Sequence, residues 1–148
     1  MSAFTATFGP ELLTKDDTKK PTEELLAGKK VVGIYFSAHW CPPCRAFTPF
    51  LSATYEDMIE EHPEFELVFV SSDQVPDQFK EYYGEMPFLA MPFENREGQR
   101  SLSQKYGVRG IPTLLFLNEK GETITADGRM WVAEAQGDVD KLWAKLTQ

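Results

Sequence analysis

The chain has 148 residues, 42% of them hydrophobic and 13% aromatic, with eleven Phe. That is enough apolar material for the core of one domain, and composition gives no case for disorder. Fifteen Lys and Arg stand against 23 Asp and Glu, a formal charge of −8. Nucleic acid and anionic membrane surfaces would be repelled, and no basic cluster offers a local exception, so neither is expected as a partner.

One domain, 1–148, is the expected organisation, with 1–28 as an N-terminal extension packed on the core. The start Met1-Ser2-Ala3-Phe4-Thr5-Ala6 lacks the basic stretch and apolar run of a secretory signal, and no later run reaches membrane-spanning length. A cytoplasmic, reducing location is therefore expected.

In chain order, residues 1–21 predict a lead-in strand or arm, ending at Lys15-Asp16-Asp17-Thr18-Lys19-Lys20-Pro21. Thr22 to Gly28 has an N-cap candidate, first-turn acids and a Gly stop, and predicts a short helix. Val31-Val32-Gly33-Ile34-Tyr35-Phe36 is a continuous apolar run of strand length, as expected for a central strand buried on both faces. After Cys44 the apolar residues Phe47, Phe50, Leu51, Tyr55, Met58 and Ile59 recur at helical spacing, with Pro49 expected to kink that helix without ending it.

Phe65 to Val70 predicts the next strand and Asp77 to Tyr83 a helix stopped by Gly84. This alternation implies parallel pairing. Met86 to Phe93 is apolar with two prolines, Glu97 to Tyr106 predicts a helix, and Thr113 to Leu117 pairs with Glu122 to Thr125 as an antiparallel hairpin. A closing helix is expected over roughly Ala133 to Leu146, with Val139, Leu142, Trp143 and Leu146 facing the core. The expected class is α/β, a central mixed sheet with helices on both faces.

The chemistry centres on Trp40-Cys41-Pro42-Pro43-Cys44. A disulfide across two residues closes too small a loop to add much stability, so the spacing calls for a chemical reason. Thiol–disulfide exchange needs an attacking thiolate, an accessible sulfur and a second thiol within reach, and Cys-x-x-Cys at a helix start supplies them. Unpaired N–H groups and the positive end of the helix dipole favour a negative sulfur at Cys41, which is expected to be the nucleophile, ionised at neutral pH and open to solvent. Pro42 and Pro43 fit a first turn that would leave its donors unpaired anyway, and the Cys44 and Arg45 N–H groups are expected to carry most of the hydrogen bonding to that sulfur.

Other roles for these residues stay open. Two Cys and two His, with His39 and His62 in no paired spacing, make a poor zinc set, and two inert buried thiols are also possible. His39 and Arg45 could favour the thiolate or be solvated charges, and Trp40 could be an apolar shelf for a partner or core. Pro112, in Gly110-Ile111-Pro112-Thr113, lacks a ladder N–H at the entry to a strand; the residues alone leave a cis or trans bond open.

An apolar strand, Trp-Cys-x-x-Cys on a helix, Pro49 five residues after Cys44, and Ile111-Pro112-Thr113 before a hairpin and final helix together resemble the thioredoxin superfamily over Lys29 to Leu146. Tyr35 to Pro49 and Glu85 to Phe93 look like its tryparedoxin and nucleoredoxin branch. The resemblance implies the thioredoxin fold, with Pro112 as the family's cis-proline and the Ile111 backbone pairing with an extended substrate peptide. Trp40, Pro42, Pro43, Ile111 and Pro112 would then form the substrate-binding surface.

Thioredoxins proper place a buried Asp where this chain has Tyr35, so a proton relay would run through water or Asp73. Tryparedoxins carry Trp-Asp-Glu where this chain has Ser72-Asp73-Gln74, closer to nucleoredoxin; Arg129 is similar to a tryparedoxin arginine that contacts the reductant. The implied activity is reduction of protein disulfides, such as those of peroxiredoxins, by a monomer. Cys41 attacks, Cys44 resolves, and an upstream dithiol or flavoprotein reductase resets the pair. The Cys41–Cys44 disulfide would be the redox centre, with no separate cofactor or metal. A redox-gated binding module with negligible turnover is the alternative.

Overall fold

Two largely apolar strands, Val31–Ser37 and Phe65–Ser71, lie side by side in parallel, paired from Val31 with Phe65 to Ser37 with Ser71. Every residue of both strands is buried, Glu66 and the closing Ser37 and Ser71 included. Apolar residues at successive positions serve both faces of a sheet, and this one is covered on both. The computed structural model describes residues 3–148, so Met1 and Ser2 of the N-terminal extension, and the signal-sequence reading that starts on them, lie outside the described residues.

The order along the chain is α1 (Ala3–Phe8), β1 (Glu11–Leu13), β2 (Lys19–Pro21), α2 (Thr22–Leu25), β3 (Val31–Ser37), α3 (Pro42–Glu61), β4 (Phe65–Ser71), α4 (Pro76–Tyr83), β5 (Leu89–Ala90), α5 (Arg96–Lys105), β6 (Thr113–Asn118), β7 (Thr123–Thr125), α6 (Gly128–Ala135) and α7 (Val139–Leu146). The sheet runs β2-β1-β5-β4-β3-β6-β7. β3 pairs in parallel with β4 and antiparallel with β6, so the sheet is mixed.

The strand period of two sorts the core into two layers. Val31, Tyr35, Leu67, Phe69, Leu114 and Phe116 face α3, α4, α6 and α7, where Leu51, Tyr55, Met58, Phe79 and Leu142 meet them. Val32, Ile34, Phe36, Val68, Val70, Leu115 and Leu117 face Phe4, Phe8, Leu12, Leu26 and Leu102. Gly33 interrupts the first layer for lack of space. A Cβ there would run into the Leu67 side chain and come within 2.9 Å of Phe116 Cε1.

Two expectations need correction. The segment before Thr22 is not a single strand or arm: Ala3–Phe8 is helical, because Phe4 and Phe8, four apart, both insert under the sheet, and a β1–β2 hairpin follows. The closing helix is two helices. Gln136 and Gly137 adopt positive φ of 50° and 87°, which ends α6, and the Asp138 side chain then accepts from the Lys141 N–H at 3.1 Å to cap α7. Between Met86 and Phe93 only Leu89–Ala90 is strand, with the prolines on either side of it. As expected, α3 continues past Pro49, its apolar stripe holding it on the sheet.

The buried Phe8 ring makes the N-terminal helix part of the core, so Phe8→Ala should cost about 3–5 kcal/mol in urea unfolding, whereas a loosely appended arm would cost almost nothing. Glu66, buried beneath Tyr55, has its carboxyl pushed above the ordinary range by desolvation, against the Tyr55 O–H (2.6 Å) and Leu67 N–H (3.0 Å) that favour the anion. Because its folded pKa is raised, the stability linked to its protonated form is complete below the ordinary pKa near 4.5 and is lost as pH rises through the folded value. Glu66→Gln should therefore unfold at a higher temperature than the parent at neutral pH, with the gap closing on acidification.

Candidate active site

The end of β3 delivers the cysteines. Ser37 finishes the strand, Ala38 turns the chain, and the Cys41 N–H bonds to the Ala38 carbonyl at 3.2 Å. Cys41 is the N-cap of α3, with Pro42 and Pro43 opening the helix as their missing N–H groups predict. Cys41 and Cys44 form a disulfide, their Cα atoms 5.2 Å apart.

The Cys44 N–H points at the Cys41 sulfur, 3.3 Å away. The Arg45 N–H, expected to share that task, instead donates to the Cys41 carbonyl at 3.1 Å as an ordinary helical bond. One backbone donor of the first turn thus serves the sulfur, and the rest of any anion stabilisation falls to the helix dipole.

Cys41 is also less open than expected. It keeps 4% of its surface exposed and Cys44 none, because Ala38 and Ile111 pack against the pair. The asymmetry still distinguishes the two sulfurs: an incoming group meets Cys41 first, with Cys44 behind it.

Antiparallel pairing of Phe36 with Thr113 sets the start of β6 beside the end of β3. The Ile111–Pro112 peptide preceding it is cis, and the Ile111 carbonyl lies 3.8 Å from the Cys41 sulfur. Pro112 is buried and Ile111 half-buried beside the cysteines. Trp40 is 52% exposed and so not core, and its indole Nε1–H donates to the Ser72 carbonyl at 3.3 Å. Pro42, Pro43 and Arg45 are exposed around the same edge.

Asp73, expected as a proton relay or reductant contact, braces the loop before the cysteines. It is buried; Oδ1 accepts from the His39 N–H at 2.7 Å and Oδ2 from the Ser71 hydroxyl at 2.7 Å. Both oxygens are used to hold the turn that leads into Trp40 and Cys41. Arg96, which the sequence did not single out, supports this loop from below: it donates to the Ser71 and Asp73 carbonyls at 3.1 and 3.4 Å, and its guanidinium lies 3.9 Å from the Phe93 ring centre. No sequence spacing links Arg96 to the cysteines. Arg129 is exposed at the start of α6, 5.7 Å from the ring of Phe47, one turn beyond Cys44. His39 is half-buried with its ring edge-on to Tyr82 at 5.8 Å, and His62, at the far end of α3, stacks on Trp143.

Tyr35 stands where the resemblance implied a carboxylate in thioredoxins proper. Its hydroxyl lies 3.4 Å from the Cys44 carbonyl and 2.7 Å from Thr48 Oγ1; Thr48 Oγ1 lies 2.6 Å from the Tyr82 hydroxyl, which lies 2.6 Å from Ser37 Oγ. Burial pushes the Tyr35 hydroxyl above its ordinary pKa, so this group stays a neutral donor. Among the described residues no three His, Cys, Asp or Glu side chains are grouped as a metal site, and no helix is long and apolar enough to cross a membrane.

Comparison with known proteins agrees with this geometry. A thioredoxin-like family model matches residues 28–123. Nucleoredoxin of Bos taurus is 48% identical over 101 residues, 68% of this chain, although the match spans only 23% of nucleoredoxin. Tryparedoxin of Trypanosoma brucei brucei is 42% identical over 117 residues, 77% of this chain and 79% of the relative. The structure of tryparedoxin II complexed with glutathionylspermidine superposes with a TM-score of 0.83 at 38% identity, covering 90% of this chain and 92% of the other. A mixed sheet with β3 at its centre, a cysteine pair at the mouth of α3 and a cis-proline beside it accompany these matches, and the chain belongs to the thioredoxin-like family, in its nucleoredoxin and tryparedoxin branch.

Proposed function

We propose that the protein reduces disulfides of other proteins through a Cys41–Cys44 dithiol–disulfide cycle. The observation that carries this is the asymmetric pair at the N-terminus of α3, in which Cys41 alone keeps a solvent face and receives the Cys44 N–H on its sulfur. In the reduced protein the Cys41 thiolate attacks a substrate disulfide, one substrate sulfur leaves, and a Cys41–substrate disulfide forms. Cys44 then displaces the second substrate sulfur from Cys41, so two electrons pass to the substrate and the Cys41–Cys44 bond forms.

Trp40, Pro42 and Pro43 form an exposed apolar lip beside the cysteines, and the half-buried Ile111 backbone offers polar groups to an extended segment. Main-chain pairing of that kind grips a peptide with little regard to its side chains, which suits a reductant of several proteins, peroxiredoxins among them. Reset would come from an upstream dithiol. Arg45 and Arg129 provide exposed positive charge at the start of α3 and at α6, favourable to a small thiol carrying carboxylates. The protein would work as a cytoplasmic monomer.

Cys44→Ser should accumulate a covalent adduct with an oxidised protein substrate that reductant releases, and Cys41→Ser should form none. Adducts on Cys41→Ser instead would reverse the roles. In an insulin-reduction assay the parent should exceed an equal concentration of free dithiol by at least roughly tenfold; equality with the free dithiol would leave only a redox-gated binding module.

A further inference from the structure

The buried hydroxyls behind the disulfide touch Cys44 and leave Cys41 alone. Four side chains from three elements take part: Tyr35 and Ser37 of β3, Thr48 of α3 and Tyr82 of α4. All four are buried, and among them they hold four hydroxyl hydrogens. The Cys44 carbonyl can only accept, and Thr48 Oγ1 donates to it at 2.9 Å. With its one hydrogen spent there, Thr48 must accept from Tyr35 at 2.7 Å and from Tyr82 at 2.6 Å, which fills both lone pairs of its oxygen. Tyr82, having donated to Thr48, accepts in turn from Ser37 at 2.6 Å. Every hydrogen of the cluster then points toward Cys44, and no charged group belongs to it.

This arrangement answers a weakness in the local backbone. Pro49, inside α3, contributes no N–H, so the Arg45 carbonyl, one residue after Cys44, has no helical donor. The segment between Cys44 and Thr48 is therefore short of one helical hydrogen bond. Whenever the dithiol is reduced, or Cys41 is bonded to a substrate, no covalent link holds Cys44 near it. Through Thr48 on the Cys44 carbonyl, the Tyr35 and Tyr82 hydroxyls tie that turn to β3 and α4.

We propose that Tyr35, Thr48, Tyr82 and Ser37 are positioning residues for the resolving step, keeping the Cys44 sulfur within attacking distance of Cys41 while Cys41 carries a substrate. The inference rests on the dithiol cycle proposed above and assigns the control of its second half. In that step Cys44 gives up its thiol proton, its electron pair forms the bond to the Cys41 sulfur, the Cys41–substrate bond breaks, and the departing sulfur takes a proton. A reacting pair held at close range gains greatly in effective concentration, and a turn that wanders loses it. Attack by Cys41 on the first disulfide draws on the Cys44 N–H at the helix start and not on the position of the Cys44 sulfur.

The reduced full-length protein mixed with excess dithiobis(nitrobenzoate) separates the two halves. Thionitrobenzoate is released once when Cys41 attacks and once more when Cys44 resolves the mixed disulfide, and stopped-flow absorbance records both. Thr48→Val and Tyr82→Phe, each checked for folding by circular dichroism, should leave the first release at the parental rate and slow the second by roughly tenfold. Thr48→Ser, which retains the hydroxyl, should restore it. A second release at the parental rate in the folded variants would overturn the proposal, as would first and second releases slowed alike. Should Thr48→Val fail to fold, Tyr82→Phe decides by the same criterion. The reagent needs no protein substrate: a parent that resolves it normally yet fails to reduce insulin would contradict the proposed function and leave this inference standing.

Discussion

One hydrogen bond organises this site: the Cys44 N–H on the Cys41 sulfur at the mouth of α3. Pro42 and Pro43 remove the two nearer donors of the helix start, so the donor nearest in sequence belongs to the cysteine that would resolve the reaction. In this structure the disulfide holds the two residues together, and the N–H lies ready on the Cys41 sulfur. Once reduction leaves a thiolate at Cys41, the bond becomes charge-assisted, stronger than a neutral one, and gains from the partial positive charge of the helix terminus.

The sheet explains why the remaining parts converge there. Parallel pairing of β3 with β4 ends at Ser37 and Ser71, and the Ser72 N–H continues it onto the Ser37 carbonyl at 2.9 Å. That brings Asp73 to the His39 N–H and the Ser72 carbonyl to the Trp40 indole. On the other side, antiparallel pairing carries the Ile111–Pro112 peptide to the sulfurs. Three chain segments distant in sequence therefore meet at the end of β3 through backbone register, and their side chains need only short reaches.

Much of this was legible beforehand because the signals were local. The apolar stretches of β3 and β4, the helical stripe after Cys44, and the hairpin of Thr113 to Leu117 with Glu122 to Thr125 each express a period or a turn preference within a few residues. The break at Gln136-Gly137-Asp138 was equally local, a C-terminal Gly followed by an N-cap Asp, and reading the apolar stripe across it joined two helices into one. What sequence could not show depends on three dimensions. The covering of Cys41 by Ile111, the reach of Asp73 to the His39 N–H and the Arg96 support join residues up to 70 positions apart with no common spacing. The hydroxyl cluster is the clearest instance. Tyr35 signalled only the absence of a carboxylate, while its partners Thr48 and Tyr82 lie on two different helices.

The site has neutral hydroxyls behind Cys44, one backbone donor on Cys41 and little solvent at either sulfur, so the ionisation of Cys41 in the reduced protein is the property on which the account turns. The direct measurement is the rate of Cys41 alkylation against pH in the Cys44→Ser variant, followed by mass spectrometry. The account predicts an apparent pKa below 7.5, more than about one unit under the ~8.5 of an ordinary thiol. A value at or above the ordinary one would contradict it.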